Sequence, residues 1–289
     1  MTAINDSEVS RMKTVILAGG LGTRLSEETG VIPKPMVTIG GMPILWHIMK
    51  LYHNFGVSQF VVCLGYKGYA VKEYFTNYPL HGADVTVDLA NGDVEYHQRR
   101  AEPWRVTMVE TGSASMTGGR LGRIRHLVDS TFFATYGDGL SDVDIARSLA
   151  FHREHGRLAT LTAVAPPGRY GALARSGDEV LAFQEKPNGD GGAINGGFFV
   201  FEPEVLDMIT GDDSVLEEEV LPQLARDGQL MAFPHEGFWQ PVEVREGTLE
   251  VVALERADGS LGVGGAGLPD RVPELVFGQV LVLTSIRLR

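Results

Sequence analysis

Apolar positions along this 289-residue chain fall into short β-branched runs that alternate with helix-length stripes. Lys13 to Ala18 (KTVILA) is such a run and meets a glycine cluster at once, the pattern of a buried strand feeding a loop. Pro43 to Phe55 has helix length, a proline suited to a first turn, and apolar residues at Ile44, Leu45, Ile48, Leu51, Tyr52 and Phe55. Val57 to Leu64 reads as a second buried strand. Gly68 to Tyr78 suits a helix, Ala83 to Leu89 an alternating strand, Arg105 to Glu110 a strand, Gly118 to Val128 a helix and Phe132 to Tyr136 a further strand.

This alternation predicts an α/β fold: a Rossmann-like, mostly parallel sheet with helices on both faces, binding its ligand beyond the carboxyl ends of the strands. The second half is richer in strands, at Thr160 to Val164, Tyr170 to Ala174, Glu179 to Glu185 and Gly197 to Phe201, with a helix near Val215 to Ala225. These segments predict a strand-rich lobe on the substrate side. The expected division is a flexible N-terminus over 1–11, a catalytic domain over 12–241 and a divergent tail over 242–289.

Composition narrows the function. With 44% hydrophobic residues the chain can bury a full core, and no apolar run approaches the roughly 20 residues of a membrane helix. The polar start MTAINDSEVSR has no secretory pattern, so a cytoplasmic protein without a membrane partner is expected. A formal net charge of -12 repels a nucleic-acid backbone, so nucleic acid is not an expected partner and any phosphate site must be local. The single cysteine, Cys63, lies in the apolar run FVVCLGY and reads as a buried inert thiol.

The glycine cluster is the strongest chemical signal. In Leu17 to Leu25 (LAGGLGTRL), three glycines let the backbone approach a ligand and turn N–H groups toward phosphate oxygens, and Arg24 adds charge. A plain tight turn is the competing reading. The Walker pattern fails at Gly22-Thr23-Arg24, and the dinucleotide fingerprint fails at Leu25, where a third glycine is required. Nine residues further on, Lys34 is pinned between Pro33 and Pro35, which keep the segment stiff; a lysine so held can stabilise charge on a triphosphate. His152 and His155 have no third ligand or HExxH spacing and read as solvent-facing; Arg123 and Arg125 read as surface residues.

LAGGLGTRL followed by KPM resembles the sugar-1-phosphate nucleotidylyltransferase family. The similarity continues through GGMPILWH, GYKGY, EPWRVTMVETG, SMTGGRLGR, TYGDG, PPGRYGAL, FQEKP, INGGFFV and GFWQP, covering about Met12 to Pro241. The longer blocks imply CTP and glucose 1-phosphate as substrates and Mg²⁺ as cofactor. Position by position, the resemblance implies that Leu17, Ala18, Gly19, Gly20, Leu21, Gly22, Thr23 and Arg24 bind the nucleotide, with Lys34, Ser115, Arg120 and Gly137. Arg24, Lys34 and Asp138 would be catalytic, Asp138 also holding the metal, and Glu185, Lys186, Asn195 and Gly196 would receive the sugar phosphate. Members of the family resemble homo-oligomers, which is the expected assembly.

The similarity stops after Trp239-Gln240-Pro241. In the family this block continues into Met-Asp-Thr, whose aspartate is the second metal ligand; here Val242-Glu243-Val244 follows, and Glu243 is the candidate replacement. The tail is either a genuine divergent end or the product of a reading-frame shift near codon 242. Two other functions stay open: thymidylyl or uridylyl transfer, which would share the loop, Lys34, Asp138 and the EKP block, and a catalytically silent nucleotide-sugar-binding subunit.

Overall fold

The β-branched run Lys13–Leu17 is strand β1, an interior strand of a seven-stranded sheet in a computed structural model. Residues 9–20, 32–97, 101–165, 172–176, 179–184, 192–245, 248–250, 254–255, 261–262 and 286–287 are described. The remaining strands are β2 (Gln59–Leu64), β3 (Arg105–Glu110), β4 (Phe132–Tyr136), β5 (Ala159–Val164), β6 (Ile194–Phe201) and β7 (Leu230–His235). Their order is β7-β5-β6-β4-β1-β2-β3. Only β6 runs antiparallel to its neighbours, so the expected mostly parallel sheet is present.

Side chains alternate across this sheet and build a core on each face. Ile16, Phe60, Val62, Phe133 and Phe198 join one cluster, where helix α1 (Ile44–Asn54) contributes Ile44, Leu45, Ile48, Met49 and Tyr52. Val15, Val61, Cys63, Phe132 and Phe199 join the other. There they pack with Leu121 of a short helix, α2 (Thr117–Arg123), and with Leu224 of a later one. Helices therefore cover both faces.

Several expectations need adjustment. Strands β5 and β6 extend the main sheet, and only Ala172–Ser176 with Glu179–Gln184 forms a separate two-stranded unit in that region. Ala83 to Leu89 contains a strand, Asp84–Asp88, which pairs with Asp93–His97 in an exposed hairpin outside the main sheet. The helix expected over Val215 to Ala225 begins as a π-turn, Leu216–Val220, and continues as α-helix over Leu221–Arg226. Pro222 explains the break: it lacks an N–H, and its ring crowds the carbonyl four residues earlier. Val9 is 3% exposed and packs in the core, three residues before the expected start of the catalytic domain at Met12.

His152 corrects another reading. Helix Ile145–His155 buries Ile145, Ser148, Leu149 and His152, one stripe at helical spacing. His152 therefore points inward, 1% exposed, between Thr160 Oγ1 at 2.8 Å and Glu202 Oε1 at 3.1 Å. His155 is half-buried and reaches the same Thr160 oxygen at 2.7 Å. Burial lowers the pKa of both rings. Both are structural histidines.

Candidate active site

The chain visits β1, β2 and β3 on one side of the sheet and then crosses to place β4 on the other side of β1. Loops leaving the carboxyl ends of β1 and β4 consequently diverge and open a crevice, the position at which α/β sheets bind ligands. Both predicted phosphate-side motifs arrive there. The glycine loop follows β1, and Gly137-Asp138 follows β4; the Gly137 N–H donates to Leu17 O at 3.0 Å, holding the two exits side by side.

Lys34 is brought to the same place across 104 residues of sequence. Residues Lys34–Met36 form a single 3-10 turn with Pro35 and Met36 buried, so the stiff Pro-Lys-Pro segment anchors on the core and leaves the amine free to reach outward. Lys34 Nζ lies 2.7 Å from Asp138 Oδ2, with both side chains partly exposed. The pair is a polar centre whose carboxylate and ammonium each have remaining capacity for ligand.

Arg120 and Gly19 shape the loop from beneath. Arg120 is 4% exposed, and its guanidinium donates to Leu64 O at 3.1 Å, Thr111 Oγ1 at 2.8 Å, Gly112 O at 2.8 Å and Gly19 O at 2.7 Å. It ties the glycine loop to the ends of β2 and β3. Gly65 must lack a side chain here, since a Cβ would stand 2.5 Å from Gly19 O. Ser115 is also buried, under Gly112. Cys63 lies beside Arg120, and burial pushes its thiol up to about 12, the reverse of a reactive cysteine.

On the β6 side, Asn195 Oδ1 accepts from Gly197 N at 2.8 Å and its Nδ2 is 3.4 Å from Tyr136 Oη. Gly197 has φ +77°, a backbone state that admits glycine and brings the strand against the Tyr136 ring. Tyr136 donates its hydroxyl to Glu217, and burial raises its pKa well above the ordinary tyrosine value, with the Glu217 charge adding to this. Glu217 also accepts from Thr117 Oγ1 at 2.6 Å. Motif reading did not single out Tyr136 or Glu217, because their meeting depends on strand order and on the π-turn.

The last element to reach the centre is Trp239–Pro241, which pairs antiparallel with Gly139–Ser141. Trp239 Nε1 donates to Gly196 O at 2.6 Å, and Val242 N donates to Asp138 O at 2.8 Å. The backbone of Glu243 therefore begins one residue from a direct contact with Asp138. Leu21, Gly22, Thr23, Arg24, Glu185 and Lys186 lie outside the described residues, as does the side chain of Glu243.

A charged clasp holds this returning segment. His235 Nε2 is 3.0 Å from Asp142 Oδ1 and 3.1 Å from Phe238 O, while Ser141 Oγ donates to Phe238 O at 2.8 Å. Desolvation opposes charge on His235, but the bonds to Asp142 and Phe238 and the Asp142 charge outweigh it, and its pKa is raised. A raised native pKa gives stabilisation that is complete below the unfolded value, about 6.5, and is lost as pH rises through the native one. The difference in Tm between the wild type and Asp142→Asn is therefore largest near pH ~6 and shrinks toward pH ~8. Thermal melts across that range check it, and a constant difference would exclude the clasp.

The partly exposed Asp138 carboxylate suits a hard divalent cation that takes its other ligands from phosphates, since such ions are bound through one or two carboxylates plus substrate oxygens. Among the described residues no group of three or more His, Cys, Asp or Glu could hold a metal by itself.

Residues 13–243 match the family model described as Nucleotidyl transferase. The glucose-1-phosphate cytidylyltransferase of Salmonella typhi is 59% identical over 234 residues, 80% of this chain and 91% of that protein. A probable glucose-1-phosphate cytidylyltransferase of Bacillus subtilis (strain 168) is 42% identical over 242 residues, 83% of this chain and 94% of the relative. Among solved structures, HddC from Yersinia pseudotuberculosis has a TM-score of 0.58 at 25% identity, covering 80% of this chain and 93% of HddC.

Proposed function

This chain belongs to the nucleotidyl transferase family, and on that premise we propose that it transfers the cytidylyl group of CTP to glucose 1-phosphate, releasing pyrophosphate and forming CDP-glucose. The observation that carries the reading is the meeting of the glycine loop, Lys34 and Asp138 at the switch point of the sheet. The similarity to two cytidylyltransferases supports the choice of base and sugar. Mg²⁺ is the metal of this reading, with Asp138 and Glu243 as its protein ligands. In this reading residues 12–241 are the catalytic domain and 242–289 the divergent tail, whose first residue, Val242, still packs in the core. The enzyme works in the cytoplasm as a homo-oligomer.

An anionic phosphate oxygen of glucose 1-phosphate attacks the α-phosphorus of CTP. The new P–O bond forms as the bond from the α-phosphorus to the bridging oxygen breaks, and pyrophosphate leaves with that electron pair. No proton has to move, so no general base is required and no covalent enzyme intermediate arises. Bound Mg²⁺ would supply charge neutralisation across the triphosphate.

The protein's share is alignment and preorganised charge. Amide groups of Gly19 and Gly20 face the phosphates, Arg24 and Lys34 oppose their charge, and Arg120 acts through the loop it clamps. Ser115 and Gly137 complete the nucleotide wall. Glu185, Lys186, Asn195 and Gly196 receive the sugar phosphate, with Trp239 holding the Gly196 carbonyl.

Pyrophosphate release with glucose 1-phosphate and Mg²⁺, compared across CTP, UTP, dTTP and ATP, tests the reading. Release with CTP alone is expected. Equal or greater release with dTTP or UTP moves the base assignment, and CTP binding without turnover identifies a silent subunit. Glu243→Ala should weaken Mg²⁺ affinity by on the order of tenfold or more, whereas Glu243→Asp retains it. Calorimetric titration of Mg²⁺ in the presence of CTP measures both, and an unchanged affinity in Glu243→Ala removes Glu243 from the metal site.

A further inference from the structure

At the amino ends of the strands, opposite the reaction centre, the sheet carries cations that transfer does not use. Lys13, Gln59 and Arg105 each open their strand and are register partners across β1, β2 and β3. Parallel strands in register put such partners on one face, and strand spacing sets Lys13 and Arg105 roughly 10 Å apart with Gln59 between them. Val61 and Thr107 continue that face two residues on. The turn Arg125–Leu127 ends beside them, and His126, Leu127, Asp129 and Phe60 complete the wall of a cavity of about 290 Å³.

The charge inside this cavity is unbalanced. Lys13 Nζ donates to Leu127 O at 2.6 Å and lies 3.8 Å from Asp129, whose side chain is 88% exposed and therefore well screened. Among the described residues, the side chains of Arg105, His126 and Gln59 have no ion pair or hydrogen bond. In a chain of net charge -12, two permanent cations and an imidazole facing one concavity against a single exposed carboxylate reverse the local sign. The floor has a different character: on the same face of the sheet Val61 lies beneath the polar groups and Leu127 is half-buried beside them, so apolar surface lies between the polar groups.

A guanidinium fork pairs with phosphate in bidentate fashion, and a lysine nearby adds a point charge. An apolar floor of this size accepts a ring or short carbon body attached to that phosphate. We propose that this cavity is a second anion site, remote from the catalytic crevice, that binds a small phosphate monoester with an apolar or aromatic body. Five or six residues of strand separate it from the carboxyl ends, a distance of roughly 15–20 Å. The proposal is independent of which nucleotide the enzyme transfers.

Phenyl phosphate is a suitable probe, because it offers the dianion and the ring without a nucleoside. Calorimetric titration into the full-length protein should give one saturable event that added salt weakens. Binding should fall at least about tenfold in Arg105→Glu and stay within about twofold of wild type in Lys34→Met. Arg105→Gln, which removes the charge and keeps a long polar side chain, carries the comparison if Arg105→Glu melts differently from the wild type. Absence of saturable binding to the wild type overturns the proposal, as does binding that both Arg105 variants leave intact. Loss of binding in Lys34→Met would place the probe in the catalytic crevice and overturns it equally.

Discussion

Asp138→Asn lowers kcat by on the order of a hundred- to a thousandfold and leaves the protein folded. The carboxylate is partly exposed and pairs with Lys34, so the substitution removes charge without opening the core. Its backbone still receives the Val242 N–H, which keeps the returning strand in place. What is lost is the anionic oxygen available to a divalent cation and the electrostatic partner that holds Lys34 in the crevice. Steady-state pyrophosphate release with CTP and glucose 1-phosphate, together with a thermal melt, separates these effects. Near-normal turnover in Asp138→Asn would exclude this carboxylate from the reaction centre.

Arg120→Met is expected to act on stability first and on activity through it. The variant removes a buried cation that satisfies three carbonyls and a hydroxyl, and charged hydrogen bonds with buried partners put the loss at about 3–5 kcal/mol. For a domain of this size that corresponds to a fall in Tm on the order of 10 °C. Because one of those carbonyls belongs to Gly19, CTP affinity falls further than the melting curve accounts for. Arg120→Lys rescues poorly, since a single ammonium cannot reproduce a planar fork spanning Gly19, Thr111 and Gly112. Chemical denaturation and nucleotide titration of the two variants check this. A stable Arg120→Met with normal CTP affinity would show that the clamp is not what shapes the loop.

The role of Arg120 was only partly legible from its motif. SMTGGRLGR marks the arginine as significant, but direct contact with nucleotide and support of the loop from beneath give the same sequence signal. Burial and the bond to Gly19 O, 101 residues away in sequence, favour support. His152 shows the opposite failure: histidine is a polar letter, and its inward direction follows only when Ile145, Ser148 and Leu149 are seen on the same helical stripe. Lys34 is legible from local chemistry, and Asp138 from the resemblance that TYGDG carries. Their 2.7 Å separation required the strand order that puts β4 beside β1.

Elements with strong periodicity, namely the buried strands β1, β2 and β4 and helix α1, are legible along the chain together with the glycine-loop and Pro-Lys-Pro chemistry, because each is written in neighbouring residues. Tertiary structure decided what depends on distant pairing. The order of strands makes one crevice from the loops after β1 and β4. The antiparallel return of Trp239–Pro241 delivers the Val242 N–H to the Asp138 carbonyl despite the altered residues that follow Pro241. The register of Lys13, Gln59 and Arg105 gathers three strand starts into one cationic row. Local sequence sets backbone preference and side-chain chemistry, but the contacts between segments a hundred residues apart follow from how the two faces of one sheet are buried.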